Sequence, residues 1–335
     1  MTHEQRIAAL RQFGYSEREA AFLCLAALHG GYFLRRQYCR FLGTGSGRPD
    51  DLLVCKVLSL GHGRRHSTGR RTFLYHLCSR TLYNAIGEPD NRNRHPRPPY
   101  AIKARLMALD YVLAYPGRHC LNTEHEKVDY FCRVRAIPLE FLPAKVFRAE
   151  AVSPPAFRYF VDHFPVFVDT AEDPSIPVVS FCYIDEGVIA APAFETYLRN
   201  YAALFALLGR FRVVHVSTVE DCEERAKAAF RRFFDLPDHP AGRRYGSFLE
   251  GLLAFLRLED RYQTGRLDLL SAAALDELAV LRRMFRGRGY EPFFEFWDEH
   301  GDEGIARLFA RTDGPEHGLQ LRFAAHHMSH DYGFL

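Results

Sequence analysis

Apolar residues recur three and four apart along the first sixty residues, a spacing that predicts successive helices, and strict alternation then replaces it. Ser16 and Glu19 stand in the S-x-x-E spacing in which each side chain satisfies the other residue's free backbone N–H, so a helix opens there. Phe22, Leu23, Leu25, Ala26 and Leu28 form its apolar face, and Gly30-Gly31 ends it because glycine tolerates the left-handed turn. A second helix is expected from about Leu34 to Leu42, with Arg35, Arg36 and Arg40 on its wet side. After the turn at Gly43–Gly47, Pro49 suits a first helical turn. The third helix is expected over about Asp50–Leu60, burying Leu52, Leu53, Val57 and Leu58 and exposing Asp51 and Lys56. From Gly61 to Leu77, two strand-like runs flank Ser67-Thr68-Gly69.

Helix, helix-turn-helix, hairpin is the order of a winged helix, expected over 1–86. The segment 87–145 reads as a basic linker and connecting helices. Its first part, Gly87–Tyr100, has four prolines, three arginines and no hydrophobic residue before Tyr100, as in a solvated tether or an extended arm. An amphipathic helix is expected over Ala101–Ala114 on Ile102, Leu106, Leu109 and Leu113, packing on both neighbours, and Thr123 with Glu126 repeats the capping spacing. In 146–236, Phe157–Val168 predicts a hairpin turning near Asp162-His163 or Pro165, and Pro177–Asp185 a strand buried on both faces. Pro192–Leu208 predicts a helix, Phe211–Ser217 a second buried strand and Thr218 the cap of a further helix. Strand, helix and parallel strand require a crossover, so this block is a mixed α/β core. The remainder, 237–335, is expected to be helical with a strand-like tail, LQLRFAAHH. The fold class is thus multidomain, α+β followed by α/β.

Composition adds little. The 335 residues are 47% hydrophobic and 25% charged, as in ordinary globular proteins. No apolar run approaches the roughly 20 residues of a membrane span, and MTHEQRIAALRQF lacks a signal peptide's apolar core, so a cytoplasmic protein is expected. The eight cysteines form no C-x-x-C pair and the sixteen histidines no zinc spacing, so neither metal nor other cofactor is expected. Charge distribution changes the picture. Fifteen lysines and arginines face four carboxylates between Tyr32 and Arg105, although the whole chain carries only +3. Cations gathered on one module beside an acidic remainder suit a polyanion such as double-stranded DNA. The wing arginines Arg64, Arg65, Arg70 and Arg71 and the helix arginines Arg35, Arg36 and Arg40 would neutralise phosphates. Ser46, Arg48, Asp51 and Lys56 would face base edges, and Arg92, Arg94 and Arg97 of the arm would track the backbone or enter a minor groove.

Two glycine-rich stretches, GTGSGR and GHGRR, are turns: neither has the Lys-Ser/Thr of a phosphate-binding loop. Hairpin, buried strand, helix, strand is the order of a restriction-endonuclease-like core, whose catalysis needs paired acids and a lysine two residues after one of them. Asp162, Asp185 and Glu186 are the acids in place, but no lysine lies between Lys145 and Lys227. A degenerate core with vestigial acids and no catalytic residue is the expectation.

The basic wing at Gly61–Leu77, with F-x-x-x-D-E-G at Phe181–Gly187 and F-E-x-Y-L-x-x-Y at Phe194–Tyr201, resembles the plasmid replication-relaxation family. That family often ends the strand with acid-x-Asp-Gly-Thr and carries a lysine near the helix start, where this chain has Tyr183–Gly187 and Glu195. The resemblance implies DNA binding in replication, mobilisation or transcriptional control of a mobile element. Two alternatives stand beside it: a metal-dependent nuclease using Asp162 with Asp185 or Glu186, and an adaptor docking onto a relaxase, transposase or recombinase. A homodimer suits a palindromic DNA site.

Overall fold

Local capping and burial build two sheets that share one helix. The computed structural model describes every residue except 46, 69–71, 148–155, 163, 170–176, 188–190, 209, 220–221, 235–246, 286, 288, 313–319 and 331. Among the described residues it is a mixed α and β molecule with twelve helices and three small sheets, none of them a barrel.

The N-terminal module begins with α1 (His3–Arg11) and α2 (Glu17–His29). The Ser16 box forms as expected: Glu19 N–H donates to Ser16 Oγ at 3.3 Å and Ser16 N–H to Glu19 Oε2 at 2.6 Å. Then come β1 (Tyr32–Leu34), α3 (Arg35–Leu42), α4 (Arg48–Ser59), β2 (Gly63–Ser67) and β3 (Phe73–Leu77). The strands form an antiparallel sheet in the order β1-β3-β2. Phe33, Tyr75 and Leu77 of this sheet join Phe22, Leu53 and Val57 in one core, while Tyr32, Leu34 and Leu74 face the other way.

After α5 (Arg80–Ala85), the proline-rich arm is bound to this module and is not a solvated tether. Asn93, 1% exposed, sits in a single 3-10 turn and donates its amide to the carbonyls of Ala27 (2.9 Å) and Leu28 (3.0 Å). Its own carbonyl accepts from His76 Nε2 at 2.9 Å. Gly31 makes this approach feasible. It has φ +75°, and a Cβ there would lie 2.4 Å from the Asn93 oxygen.

α6 (Pro99–Ala114) is buried throughout Leu106–Leu113, more than a one-faced amphipathic helix would be. Leu109 and Leu113 enter the N-terminal core; Leu106, Met107, Tyr111 and Val112 join Leu34 and Leu74 on one side and Phe167, Cys182, Ile184 and Val214 on the other. The chain continues through β4 (His119–Leu121), α7 (Glu124–Asp129), β5 (Ala144–Phe147), β6 (Ala156–Tyr159), β7 (Val166–Asp169), β8 (Val178–Asp185), α8 (Ala191–Leu208) and β9 (Arg210–Ser217). It ends with α9 (Cys222–Phe234), α10 (Phe248–Gln263), α11 (Ala272–Phe285), α12 (Glu291–Arg311, broken at Gly301) and β10 (Gln320–His327).

The larger sheet runs β10-β9-β8-β7-β4, with β8, β9 and β10 mutually parallel and β7 antiparallel to both its neighbours. Two expectations change here. Residues Phe157–Val168 do not make one hairpin, because β6 pairs with β5 while β7 lies between β4 and β8. Phe160, at φ +50° with its ring buried, turns the chain between the two sheets. The sheet also takes β4 and β10 from outside 146–236, so the strand-like tail completes the α/β body.

Gly31→Ala and Gly43→Ala separate arm packing from backbone strain. Both sites have positive φ, and nothing lies within 4 Å of a Cβ at Gly43. Gly43→Ala should cost only about 1–2 kcal/mol for the left-handed conformation, and Gly31→Ala clearly more, read as urea midpoints. Equal costs would mean the arm is not held.

Candidate nucleic-acid interface

The N-terminal module presents an uncovered helix face beside a cationic hairpin. Asp50, Leu53, Val54 and Val57 turn α4 inward. Arg48, Asp51, Leu52, Cys55 and Ser59 lie on its exposed side. Leu52, expected in the core, is 48% exposed. Adjacent helical residues point about 100° apart, and Leu53 occupies the core position.

The start of α4 is fixed by a buried ion pair. Asp50, 1% exposed, accepts from Gly47 N–H at 2.6 Å and from Arg35 Nε at 2.6 Å, and the Arg35 guanidinium also reaches Asp51 at 2.6 Å. Burial opposes the charged form of Asp50, yet the Gly47 N–H and the Arg35 cation outweigh it and hold the carboxyl below its usual range. Lys56 Nζ pairs with Glu19 at 2.7 Å and also donates to the Gly14 carbonyl, tying α4 to the start of α2. Arg36 makes two 2.7 Å hydrogen bonds to Asp110 of α6. Arg35, Arg36 and Lys56, expected to serve DNA, are each paired with the chain's own carboxylates, which leaves them less charge to offer a partner.

Arg48 and Arg64 are exposed and make no ion pair among the described residues. Arg65 lies over the Phe73 ring at 4.7 Å. Burial pushes the Tyr75 phenol up. Tyr75 packs in the same core as Leu53 and Val57 of α4, and its cross-strand partner Arg65 lies on that side of the sheet. Ser46, Arg70 and Arg71 lie outside the described residues. Arg40 is exposed on a different side of α3, beside Ser329 and His330 of the C-terminal segment, so it does not join α4. The arm arginines are held against the chain. Arg92 covers Phe147 at 4.8 Å, Arg97 donates to the Arg92 carbonyl, and Arg94 is half-buried. Arg64 and Arg105 act instead on the side of the small sheet that carries His76, whose pKa burial lowers.

The candidate acids of the α/β body point to separate internal partners. Asp162 accepts from Phe164 N–H (3.0 Å) and Tyr201 Oη (2.7 Å), and burial pushes its pKa up. Asp185 accepts from Gly187 N–H (2.8 Å) and faces His215 Nε2 at 3.2 Å. Lys103 Nζ donates to the Glu186 carbonyl, bringing a cation from α6 to this strand end. Neither Lys103 nor His215 is signalled by the spacing along the strand, because each reaches it from another element of the fold. Among the described residues no three His, Cys, Asp or Glu side chains gather as metal ligands. Comparison with protein-family models, characterised proteins and solved structures finds no match to this chain.

Asp50→Ala tests the pair that starts α4. Because the folded carboxyl titrates below its unfolded value near 3.8, its stabilisation is complete above that value and is lost as pH falls through the folded one. At pH 7 the variant should lose about 1.5–3 kcal/mol, as for hydrogen bonds to a charged group. The gap between variant and parent should close in strong acid; a gap independent of pH would remove the ionic part.

Proposed function

We propose that this protein binds double-stranded DNA through α4 and the β2–β3 hairpin, in the manner of a winged helix. The observation that carries the reading is the uncovered side of α4, with Arg48 at its first turn, on the same side of the sheet as Arg65, which has no carboxylate partner among the described residues. The order α2, β1, α3, α4, β2, β3 with a β1-β3-β2 sheet supports it. The N-terminal residues of such a helix reach base edges while the hairpin touches backbone. Exposed Leu52 offers an apolar contact for a thymine methyl, and Asp51 an acceptor for cytosine.

The interface is narrower than the charge count implies: Arg48 and Arg65 from the described residues, with Arg64 on the other face of the hairpin and Arg70 and Arg71 outside the described residues. Biologically, we place the protein with DNA-binding proteins of mobile elements, akin to the plasmid replication-relaxation family, acting in replication, mobilisation or control of neighbouring genes. In that reading the α/β body is an inactive nuclease-like scaffold. Antiparallel β7 and β8, then α8 and parallel β9, follow the order of such a core, and the oxygens of Asp162 and Asp185 are already engaged by the chain. Docking onto a relaxase, transposase or recombinase, or pairing of two copies on a palindrome, is compatible with this role. Among the described residues no helix is long and apolar enough to cross a membrane.

Replacing Arg64, Arg65, Arg70 and Arg71 by alanine should weaken binding to any duplex. The slope of log affinity against log salt should fall by about 0.9 for each phosphate that is no longer neutralised. A gel shift and salt slope equal to the parent's would remove the hairpin from the interface.

A further inference from the structure

A second cationic surface lies apart from α4 and the hairpin, where α3 meets the C-terminal segment. Arg36, Cys39, Arg40, Thr44, Ser329 and His330 line a pocket of about 470 Å³. One wall is rigid. Asp110, 0% exposed, grips Arg36 by both terminal nitrogens at 2.7 Å and accepts from Tyr332 Oη at 2.6 Å. Asp110 is not among the lining residues, but its charge acts on His330 against that of the two arginines. Arg40, exposed and one helical turn on along the same face of α3, makes no hydrogen bond or ion pair among the described residues. Thr44 and Ser329 add hydroxyl groups, and His330 adds an imidazole whose pKa is lowered by burial and by Arg36 and Arg40. Among the described lining residues each side chain except Cys39 can donate to oxygen and none is an acid; Asp331, next to His330, lies outside the described residues.

We infer that this pocket binds a phosphate group, with Arg40 as its unpaired cation and the N–H groups of Arg36, held in place by Asp110, together with Thr44, Ser329 and His330 as further donors. The geometry suits a tetrahedral anion because planar guanidinium groups give paired, charge-assisted N–H donors. One factor opposes it. The pocket adjoins the C-terminal end of α3, where the helix dipole disfavours an anion by about 0.3–1 kcal/mol at an exposed site. Gly43 N–H and Thr44 N–H cap the last carbonyls there, donating to Arg40 O at 3.1 Å and Cys39 O at 3.0 Å, and the unpaired Arg40 guanidinium offsets what remains. The phosphate belongs either to a small molecule or to a backbone phosphate of bound DNA. The pocket stands whether or not α4 binds a duplex.

The test uses the full chain and its Arg40→Ala variant, a change at a side chain that holds nothing else in place, with equal thermal melts confirming the fold. Titration calorimetry with inorganic phosphate at low salt should show saturable binding by the parent, weakened about tenfold in Arg40→Ala, the loss expected of a charged hydrogen-bonding partner. The same pair is then titrated with duplex DNA. An unchanged salt slope assigns the pocket to free phosphate groups, whereas a slope reduced by about 0.9 assigns it to the DNA backbone. Phosphate binding with no duplex binding at all would sink the interface on α4 and leave the pocket standing. No saturable phosphate binding together with identical duplex slopes, or phosphate binding that Arg40→Ala leaves unchanged, would overturn the inference.

Discussion

A carboxylate shut off from water organises this molecule. Asp110 is 0% exposed, and an ionised group in that position is costly unless paired and fully hydrogen-bonded. It meets both conditions through two nitrogens of Arg36 and the hydroxyl of Tyr332. Three distant parts of the chain, α3, α6 and the C-terminal segment, are joined at one point. With that joint closed, α6 can lie between the two sheets and bury nearly every residue of its second half. The inner face of the N-terminal sheet and one face of the five-stranded sheet then pack on the same helix. α4 and the outer edge of the hairpin are left without cover from the body.

The same joint explains why charge density and available charge differ. Along the chain, arginine and lysine are in excess around the hairpin, but ion pairs form in space. Arg36 is answered by Asp110, seventy-four residues away, and Lys56 by Glu19, thirty-seven residues away. Arg35 is answered by Asp50 and Asp51 within the dense segment itself. These cations fix the relative positions of α2, α3, α4 and α6. The charge left for a partner is smaller, and it divides into a set at α4 and the hairpin and a set at Arg40 beside the tail.

The parts of the fold legible in the sequence are those fixed by neighbours in the chain. The Ser16–Glu19 box, the helix ending at Gly30-Gly31, the apolar run of β8 and the crossover through α8 depend on local capping or on periodicity, and the structure places them where the pattern does. What was not legible depends on partners far away. β1 has three residues and is a strand only because β3 lies beside it. β10 alternates weakly, and its place follows from pairing with β9 about a hundred residues earlier. The arm has the composition of a tether, yet one asparagine carries enough hydrogen bonds to hold it on α2 and β3. Of the candidate site, the exposed Arg48, Arg64 and Arg65 were legible, whereas the internal pairing of Arg35, Arg36 and Lys56, and the exposure of Leu52, were not.

Amide hydrogen exchange on the full chain, with and without a saturating duplex at low salt, tests the central claim most directly. The account predicts slowed exchange concentrated in α4 and in residues 63–77, with the five-stranded sheet and α10–α12 unchanged. Slowed exchange confined to the body, with α4 and the hairpin exchanging as in the free protein, would contradict it.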